Sequence, residues 1–249
     1  MGGRCYHAIV PAMNLPNSLW IELARRANVT LTDEQHGRLS RYLDLLFEAN
    51  ARMNLTRITD RPAAELQHIA DTLTLLAHLP PNAHRLADVG SGGGVPGIPL
   101  AIARPDISVL LIESTKKKAA FLKSTAESLG LTNVAVCDTR AEDLAQSNAR
   151  ESFDVAVARA VATMDWLAEW CLPLVRKGGR MLAMKGPKVA EELPGAAKAI
   201  KLLGGGEAVV HPVDLPGTEH RVIVEIRKIA KTDARYPRPA TQAKGKPLL

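Results

Sequence analysis

Residues 85–94 read Arg-Leu-Ala-Asp-Val-Gly-Ser-Gly-Gly-Gly. The apolar first half predicts a β-strand. The glycine-rich second half predicts a tight turn, because glycine adopts left-handed backbone conformations without strain. A helical pattern follows from Gly97, and a strand that leads through such a loop into a helix is typical of cofactor sites in α/β proteins. The spacing Gly92-x-Gly94-x-x-Gly97 also matches the dinucleotide fingerprint, and a glycine-rich connection without a ligand is the structural alternative.

The chain after residue 84 alternates short apolar runs with helical segments. Uniformly apolar strands that alternate with helices predict a parallel sheet covered on both faces, which is an α/β, Rossmann-like fold. The expected strands are 85–89, 109–112, 134–137, 154–158, 180–184, 208–211 and 221–226, and the expected helices are 97–104, 116–129, 164–175 and 189–203. We expect a turn at Gly178-Gly179 and a hairpin-like final pair of strands after residues 204–206.

The N-terminal part of the chain has a helical pattern from about residue 19 onward. Residues 1–17 look irregular, and 19–27 predict a short helix. Thr32-Asp-Glu-Gln35 is a capping box that begins a second helix, and Pro62 suits the first turn of a third. The sequence therefore predicts a helical region over 1–80, a Rossmann-like domain over 81–229 and a basic tail over 230–249. The tail is expected to be extended over the surface or disordered.

The composition favours a polyanionic partner. Lys and Arg number 32 against 26 Asp and Glu, which gives a net charge of +6, and such a balance is typical of many nucleic-acid-binding proteins. The three cysteines are widely spaced, so we expect neither a disulfide framework nor a zinc site and assign a reducing, cytoplasmic compartment. No apolar run of membrane-spanning length and no signal-peptide pattern occurs, so no membrane association is expected. Nothing in the sequence requires more than a monomer.

Two acidic residues suit a cofactor site, and one of them, Asp88, discriminates between the candidate cofactors. Asp88 lies two residues before the first glycine, where a carboxylate can accept from loop amides and balance the ammonium and sulfonium charges of S-adenosylmethionine. A pyrophosphate would be repelled at the same place. Glu113 ends the next strand, where an acid would hold a ribose hydroxyl pair in either cofactor. The sequence therefore favours a methyltransferase that uses S-adenosylmethionine, with a nicotinamide-dependent oxidoreductase as the alternative.

Motifs that the sequence lacks narrow the choice of methyl acceptor. There is no Asn/Asp-Pro-Pro-aromatic motif for an exocyclic amine and no Pro-Cys pair for attack on a pyrimidine ring. Cys137 and Cys171 lie in apolar segments typical of a core, and no His/Cys cluster suggests a metal. A purine ring nitrogen remains, because its in-plane lone pair carries no proton and needs only orientation towards the methyl group. We therefore expect an extruded base, phosphate-binding cations and no general base.

Several cations are candidates for phosphate or carboxylate contacts. Arg140, Arg159 and Lys185 each follow a strand-like segment at the presumed cofactor edge, and Arg221 is a fourth candidate. The run 116–118 of three lysines and the basic tail are further candidates for phosphate contacts. Arg159 is placed to reach either the carboxylate of the cofactor or an RNA phosphate. Its structural alternative is an ion pair with an acid of the polar segment 138–143, either Asp138 or Asp143.

Seven short segments carry a resemblance to a known family. They are Met53-Asn-Leu-Thr56, His68-Ile-Ala-Asp71, Asp88-Val-Gly-Ser-Gly-Gly-Gly-Val-Pro-Gly-Ile-Pro99, Arg140-Ala-Glu142, Ala158-Arg-Ala160, Lys185-Gly186 and Glu219-His-Arg221. Through them the sequence resembles the bacterial 16S ribosomal RNA guanine-N(7) methyltransferases, also called glucose-inhibited division protein B, over residues from about 32 to 228. The most specific part is the stretch 94–99.

The resemblance implies a Rossmann-like methyltransferase domain behind a helical region. It also implies methylation of nitrogen 7 of one guanine in 16S rRNA, within the small ribosomal subunit or its precursor, and cofactor contacts at Gly90, Val95, Ala141, Glu142 and Arg159. With the preceding reasoning, the predicted cofactor-binding residues are Asp88, Gly90, Ser91, Gly92, Gly94, Val95, Glu113, Ala141, Glu142 and Arg159, and the predicted RNA-binding residues are Arg140, Lys185 and Arg221. No catalytic residue and no metal ligand is assigned. A noncatalytic RNA-binding module with a decayed site is the remaining alternative.

Overall fold

A computed structural model describes residues 15–218, 220–243 and 245–248, with side chains from residue 18 onward. Its strands are β1 (Arg85–Val89), β2 (Ser108–Ile112), β3 (Val134–Cys137), β4 (Phe153–Arg159), β5 (Val175–Lys185), β6 (Gly205–Pro212) and β7 (Val222–Lys228). They form one sheet in the order β3-β2-β1-β4-β5-β7-β6. Strands β1 to β5 pair in parallel, whereas β7 is antiparallel to both β5 and β6. The predicted Rossmann-like fold and its final antiparallel pair are confirmed.

The helices cover both faces of this sheet. They are α1 (Leu15–Arg26), α2 (Asp33–Met53), α3 (Arg61–Ala64), α4 (Asp71–Leu73), α5 (Gly97–Ala103), α6 (Lys116–Ser128), α7 (Ala141–Leu144), α8 (Met164–Cys171), α9 (Val189–Leu202) and α10 (Ala240–Ala243). Alternate residues of each strand point to opposite faces. Leu86 and Val155 accordingly pack with the N-terminal helices, α5 and α6, whereas Ala87 and Ala156 pack with α8 and α9.

The N-terminal helices are part of the first of these two cores. Thr32 and Gln35 form the predicted capping box, and the Gln35 side chain also donates to the Ile102 carbonyl in α5 at 2.7 Å. Pro62 lies in the first turn of α3 as predicted, and a π-helical segment and a 3₁₀ turn continue the chain to His78. The irregular segment expected over 1–17 differs, because α1 begins at Leu15, and residues 1–14 lie outside the described residues. The boundary at residue 80 stays a prediction.

Two expected boundaries on the second half of the sheet are wrong. The helix expected over 164–175 ends at Cys171, because Pro173 has no N–H group with which to continue it. The turn expected at Gly178-Gly179 lies inside β5, where the register against β4 shifts. Gly178 has a φ of +84°, so the glycine pair makes a bulge rather than a connection between separate elements.

The C-terminal tail is packed against the domain rather than disordered. Arg150 donates to the carbonyls of Thr232 and Tyr236 at 2.8 and 2.7 Å. Arg238 forms a forked ion pair with the buried Glu169 of α8, and Leu248 is buried. Because these contacts join the tail to the α8 face of the sheet, removal of residues 230–249 would expose buried surface. None of the described helices is long and apolar enough to cross a bilayer.

We expect the substitution Tyr42→Phe to destabilise the protein by about 1 kcal/mol. The fully buried Tyr42 hydroxyl donates to the Gly93 carbonyl at 2.7 Å and ties α2 to the glycine-rich loop, so its loss leaves that carbonyl without this donor. Urea unfolding of the wild type and the variant measures the effect. Tyr236→Phe is the control, because its hydroxyl makes no hydrogen bond within the described part of the chain. Equal midpoints for Tyr42→Phe and the wild type would contradict this assignment.

Candidate active site

A cavity of about 1190 Å³ lies at the edge of the sheet where the parallel strands end. Ligands bind at this edge in open α/β sheets. Segments that follow four neighbouring strands line it, together with one segment from the N-terminal region. The lining ranges are 54–58, 89–93, 112–114, 139–142 and 159–161, and the additional residues are Leu46, His68, Val95, Lys118 and Trp170. All of the predicted cofactor-binding residues except Asp88 and Gly94 therefore lie on the cavity wall.

Asp88 lies beneath the glycine-rich loop rather than in the cavity. One carboxylate oxygen accepts from the Gly97 N–H at 3.0 Å, and the other is buried without a partner within the described residues. Burial raises the pKa of Asp88 to about 7. The Asp88 side chain thus stabilises the turn between β1 and α5. It does not line the cavity, so it affects a ligand only indirectly, through the conformation of the loop. Gly94 is likewise internal, since a Cβ there would lie 2.6 Å from Ile98 Cδ1.

The loop adopts backbone conformations that require glycine. Gly90 and Gly92 have φ values of +75° and +55°, in the left-handed region that side chains rarely occupy. A Cβ on Gly90 would lie 2.8 Å from Val161 Cγ2, whereas a Cβ on Gly92 would meet only the Gly90 carbonyl, at 3.8 Å. Gly92 therefore leaves open a space at the cavity wall that a side chain would fill.

The N–H groups of the loop are mostly engaged within the protein. Those of Gly90 and Ser91 donate to the Ile112 carbonyl at 2.9 and 3.1 Å, and that of Gly92 donates to Glu113. These three amides are therefore not free to donate to a ligand. Polar groups that contact the ligand must come largely from other parts of the cavity wall.

Glu113 is held rigidly at the end of β2. Its two carboxylate oxygens accept from the N–H groups of Gly92 and Thr115 at 3.0 and 2.7 Å. The side chain is buried yet lines the cavity. Each oxygen retains a lone pair, because a carboxylate oxygen accepts more than one hydrogen bond. The geometry fits a pair of ribose hydroxyl groups.

Trp170 is a site residue that the sequence analysis missed. It lines the cavity and stacks on Trp166 with ring centroids 5.5 Å apart. Its indole Nε1 is buried and has no hydrogen-bond partner within the described residues. An aromatic residue in an apolar helix predicts only a core position, so no sequence signal distinguished it. The ring, together with the loop space at Gly92, fits an adenosine-type ligand.

Arg159 connects the end of β4 to the N-terminal region. Its guanidinium donates to the Gln67 carbonyl, lies 2.8 Å from His68 Nδ1 and lies 3.4 Å from a carboxylate oxygen of Asp71. The ion pair is with Asp71, not with Asp138 or Asp143, because the N-terminal region covers this end of β4. Burial and Arg159 lower the pKa of His68 to about 4, and burial raises the pKa of Asp71.

The cations predicted to bind RNA lie in different environments. Arg140 is exposed and lines the cavity. Lys185 is only 11% exposed, pairs with Glu192 at 2.7 Å and donates to the Ala162 carbonyl, so it is engaged within the protein. Arg221 is half-buried, and its charge lowers the pKa of His68. Arg57, which the sequence analysis did not select, is exposed and lines the cavity beside Thr56.

Comparison with known proteins identifies relatives along nearly the whole chain. The family model described as rRNA small subunit methyltransferase G (GidB) matches residues 35–220. The ribosomal RNA small subunit methyltransferase G of Lactobacillus helveticus is 41% identical over 238 residues, which are 94% of this chain and 99% of that protein. The protein of the same name from Moorella thermoacetica is 45% identical over 225 residues, with coverage of 89% and 94%.

Two solved structures share the fold at low sequence identity. The cofactor-bound Rv0187 from MTB superimposes with a TM-score of 0.52 and 18% identity, over 76% of this chain and 89% of that one. The 16S rRNA N2 G1207 methyltransferase of T. thermophilus, in complex with AdoMet and guanosine, gives 0.50 and 17% over 74% of this chain and 42% of that one. The sequence matches, together with this fold, establish that the chain belongs to the rRNA small subunit methyltransferase G family.

Proposed function

We propose that this protein transfers a methyl group from S-adenosylmethionine to nitrogen 7 of a guanine in the 16S rRNA of the small ribosomal subunit. The family membership carries the proposal. The cavity supports it, because Glu113, Trp170 and the space at Gly92 fit an adenosine-type cofactor. A ribosomal substrate implies a cytoplasmic enzyme, and the monomeric state stays a prediction. Family membership favours this function over the nicotinamide-dependent alternative.

The proposed reaction requires positioning more than acid–base chemistry. The bound cofactor supplies an electrophilic methyl group, and nitrogen 7 of guanine has an in-plane lone pair and no proton to remove. His68 lines the cavity, but its low pKa keeps it neutral and both ring nitrogens have partners, so it is not a free base. The protein's contribution is to hold the base in line with the methyl group and to keep water away from it.

The RNA is proposed to approach across the exposed cations at the cavity, Arg57 and Arg140. Neither has an ion-pair partner within the described residues, so both are available to phosphates. A base in a folded RNA must be extruded to enter such a cavity. The cations can hold the backbone on either side of such a base.

The direct test is transfer of a tritiated methyl group to small subunits from a bacterial strain that lacks the native enzyme. Naked 16S rRNA, precursor particles and mature subunits are compared as substrates. Chain cleavage with borohydride and aniline then locates 7-methylguanine. We expect incorporation that coincides with one cleavage site in 16S rRNA. Incorporation without cleavage would contradict nitrogen 7, and no incorporation into any substrate would favour the noncatalytic alternative.

The substitution Gly92→Val should weaken binding of S-adenosylhomocysteine by more than about tenfold. The added side chain would project into the open space at Gly92. Calorimetry measures the affinity. Gly130→Val is the matched control, because Gly130 has a similar φ of +62° and only Arg38 within 4 Å, so it carries the same backbone strain away from the loop. Unchanged affinity in Gly92→Val would contradict the placement of the cofactor.

Replacement of Arg159 should reduce both stability and cofactor affinity. Arg159→Ala leaves Asp71 buried without this ion pair, which costs about 3 kcal/mol, and Arg159→Lys keeps the charge but loses the fork that reaches Gln67 and His68 together. Urea unfolding without ligand and calorimetry with S-adenosylhomocysteine separate the two effects. Arg235→Lys is the control, since its fork to Asp233 lies at the surface and should contribute below about 1 kcal/mol. Wild-type stability and affinity in Arg159→Ala would contradict both roles.

RNA affinity should depend on the exposed cations through counterion release. The double substitution Arg57→Gln and Arg140→Gln should make the slope of log affinity against log salt concentration shallower by about 1.4, at about 0.7 for each single-strand phosphate contact. Filter binding at several salt concentrations measures the slope. Arg235→Gln is the control, because that exposed arginine pairs with Asp233. A slope that does not change in the double variant would place the RNA elsewhere.

A further inference from the structure

Thr56, His68 and Arg159 form a hydrogen-bonded chain in the cavity wall. Arg159 Nη2 lies 2.8 Å from His68 Nδ1, and His68 Nε2 lies 3.0 Å from Thr56 Oγ1. All three residues line the cavity. Thr56 and His68 belong to the N-terminal region, so this series of hydrogen bonds forms only because that region covers the end of β4.

The direction of each hydrogen bond in this chain follows from the chemistry of its members. A guanidinium group only donates, so His68 Nδ1 accepts from Arg159 and carries no proton. His68 is neutral near pH 7, because burial and the charge of Arg159 lower its pKa to about 4. Its single ring proton is therefore on Nε2, and Nε2–H donates to Thr56 Oγ1.

The Thr56 hydroxyl is consequently left with a proton to donate. Oγ1 accepts from His68 and also from the Ile58 N–H at 3.0 Å. Two incoming hydrogen bonds occupy both lone pairs of a hydroxyl oxygen. No acceptor for the hydroxyl proton exists among the residues that the structure describes, and Thr56 faces a ligand cavity.

A cofactor with an amino-acid end requires such donors. The loop amides of Gly90, Ser91 and Gly92 are already engaged within the protein, so they do not serve a carboxylate. Arg159 lines the same wall and has an Nε–H with no partner in the described part of the chain. The hydroxyl and the guanidinium together present donors without a free acceptor, which suits an anionic group.

The location favours the cofactor over RNA as the acceptor. A Cβ on Gly93 would lie 3.5 Å from Leu55 Cβ, so the segment that carries Thr56 rests against the glycine-rich loop. A phosphate that approaches from solvent would first meet the exposed Arg57. Arg159 and Arg221 also carry two positive charges beside a single Asp71, and a carboxylate would balance the excess.

We propose that the Thr56 hydroxyl donates a hydrogen bond to the carboxylate of S-adenosylmethionine. His68 is the positioning residue, because its Nε2–H and the Ile58 N–H together direct the hydroxyl proton towards the ligand. This assignment rests on the function proposed above. It adds a cofactor-binding residue from the N-terminal region, outside the Rossmann-like domain.

The test compares two ligands by calorimetry. S-adenosylhomocysteine has the carboxylate, whereas 5′-methylthioadenosine shares the adenosine and lacks the amino acid. Thr56→Val should weaken S-adenosylhomocysteine binding about tenfold or more and leave methylthioadenosine binding within about twofold. Thr56→Ser retains the hydroxyl and should bind both ligands within about threefold of the wild type. The ratio of the two affinities within each variant cancels any general loss of stability.

Two outcomes would overturn the proposal. Equal weakening for both ligands in Thr56→Val would indicate a distorted cavity wall, since His68 and Ile58 lose their acceptor in that variant. Unchanged binding of S-adenosylhomocysteine, with weaker binding of RNA, would assign the hydroxyl to the RNA instead. Failure of the wild type to bind either ligand would contradict the proposed function itself, and this result differs from both outcomes above, in which the wild type binds.

Discussion

The hydrogen bond from the Gly97 N–H to the carboxylate of Asp88 fixes the path of the chain on which the site depends. It joins the penultimate residue of β1 to the first residue of α5 at 3.0 Å. A Cβ on Gly97 would lie 2.6 Å from the same oxygen, so the strand and helix meet in direct contact. The intervening residues must then form a short arch with left-handed glycines. Burial raises the pKa of Asp88 to about 7, and a buried carboxyl group with one unpartnered oxygen is typical of a site shaped by function more than by stability.

The N-terminal helices are hydrogen-bonded to this arch and help to hold it in place. Tyr42 donates to the Gly93 carbonyl and Gln35 to the Ile102 carbonyl, so α2 is bonded to the loop and to the helix that follows it. Arg159 then joins the far side of the cavity to Gln67 and His68. One wall of the cavity is therefore built from N-terminal residues that are distant in sequence from the glycine-rich loop and from β4. The cavity has donors from the N-terminal helices and from the sheet. Ligand binding therefore depends on correct packing of these helices against the sheet.

Charge at the site separates into an internal set and an exposed set. Lys185 and Arg159 are mostly buried and paired with Glu192 and Asp71, because an unpaired charge at these depths would be costly. Arg57 and Arg140 remain exposed at the cavity. Residue type and position after a strand predicted Arg140, Arg159 and Lys185 as candidates of the same kind and did not select Arg57. The packing distinguishes those that build the wall from those that can meet a phosphate. The net charge of +6 does not show this difference, because it is a sum over the whole chain.

The sequence by itself determined the features whose cause is local. The capping box at Thr32, the glycine-rich loop and the apolar strands were predictable, since residues adjacent in sequence determine backbone conformation and hydrophobic periodicity. Tertiary structure alone decided which groups meet. It placed Asp88 beneath the loop, turned the loop amides inward, paired Arg159 with Asp71, brought Trp170 into the cavity and packed the tail through Arg238. Those outcomes depend on which surfaces dock across the sheet, and no short stretch of sequence contains that information.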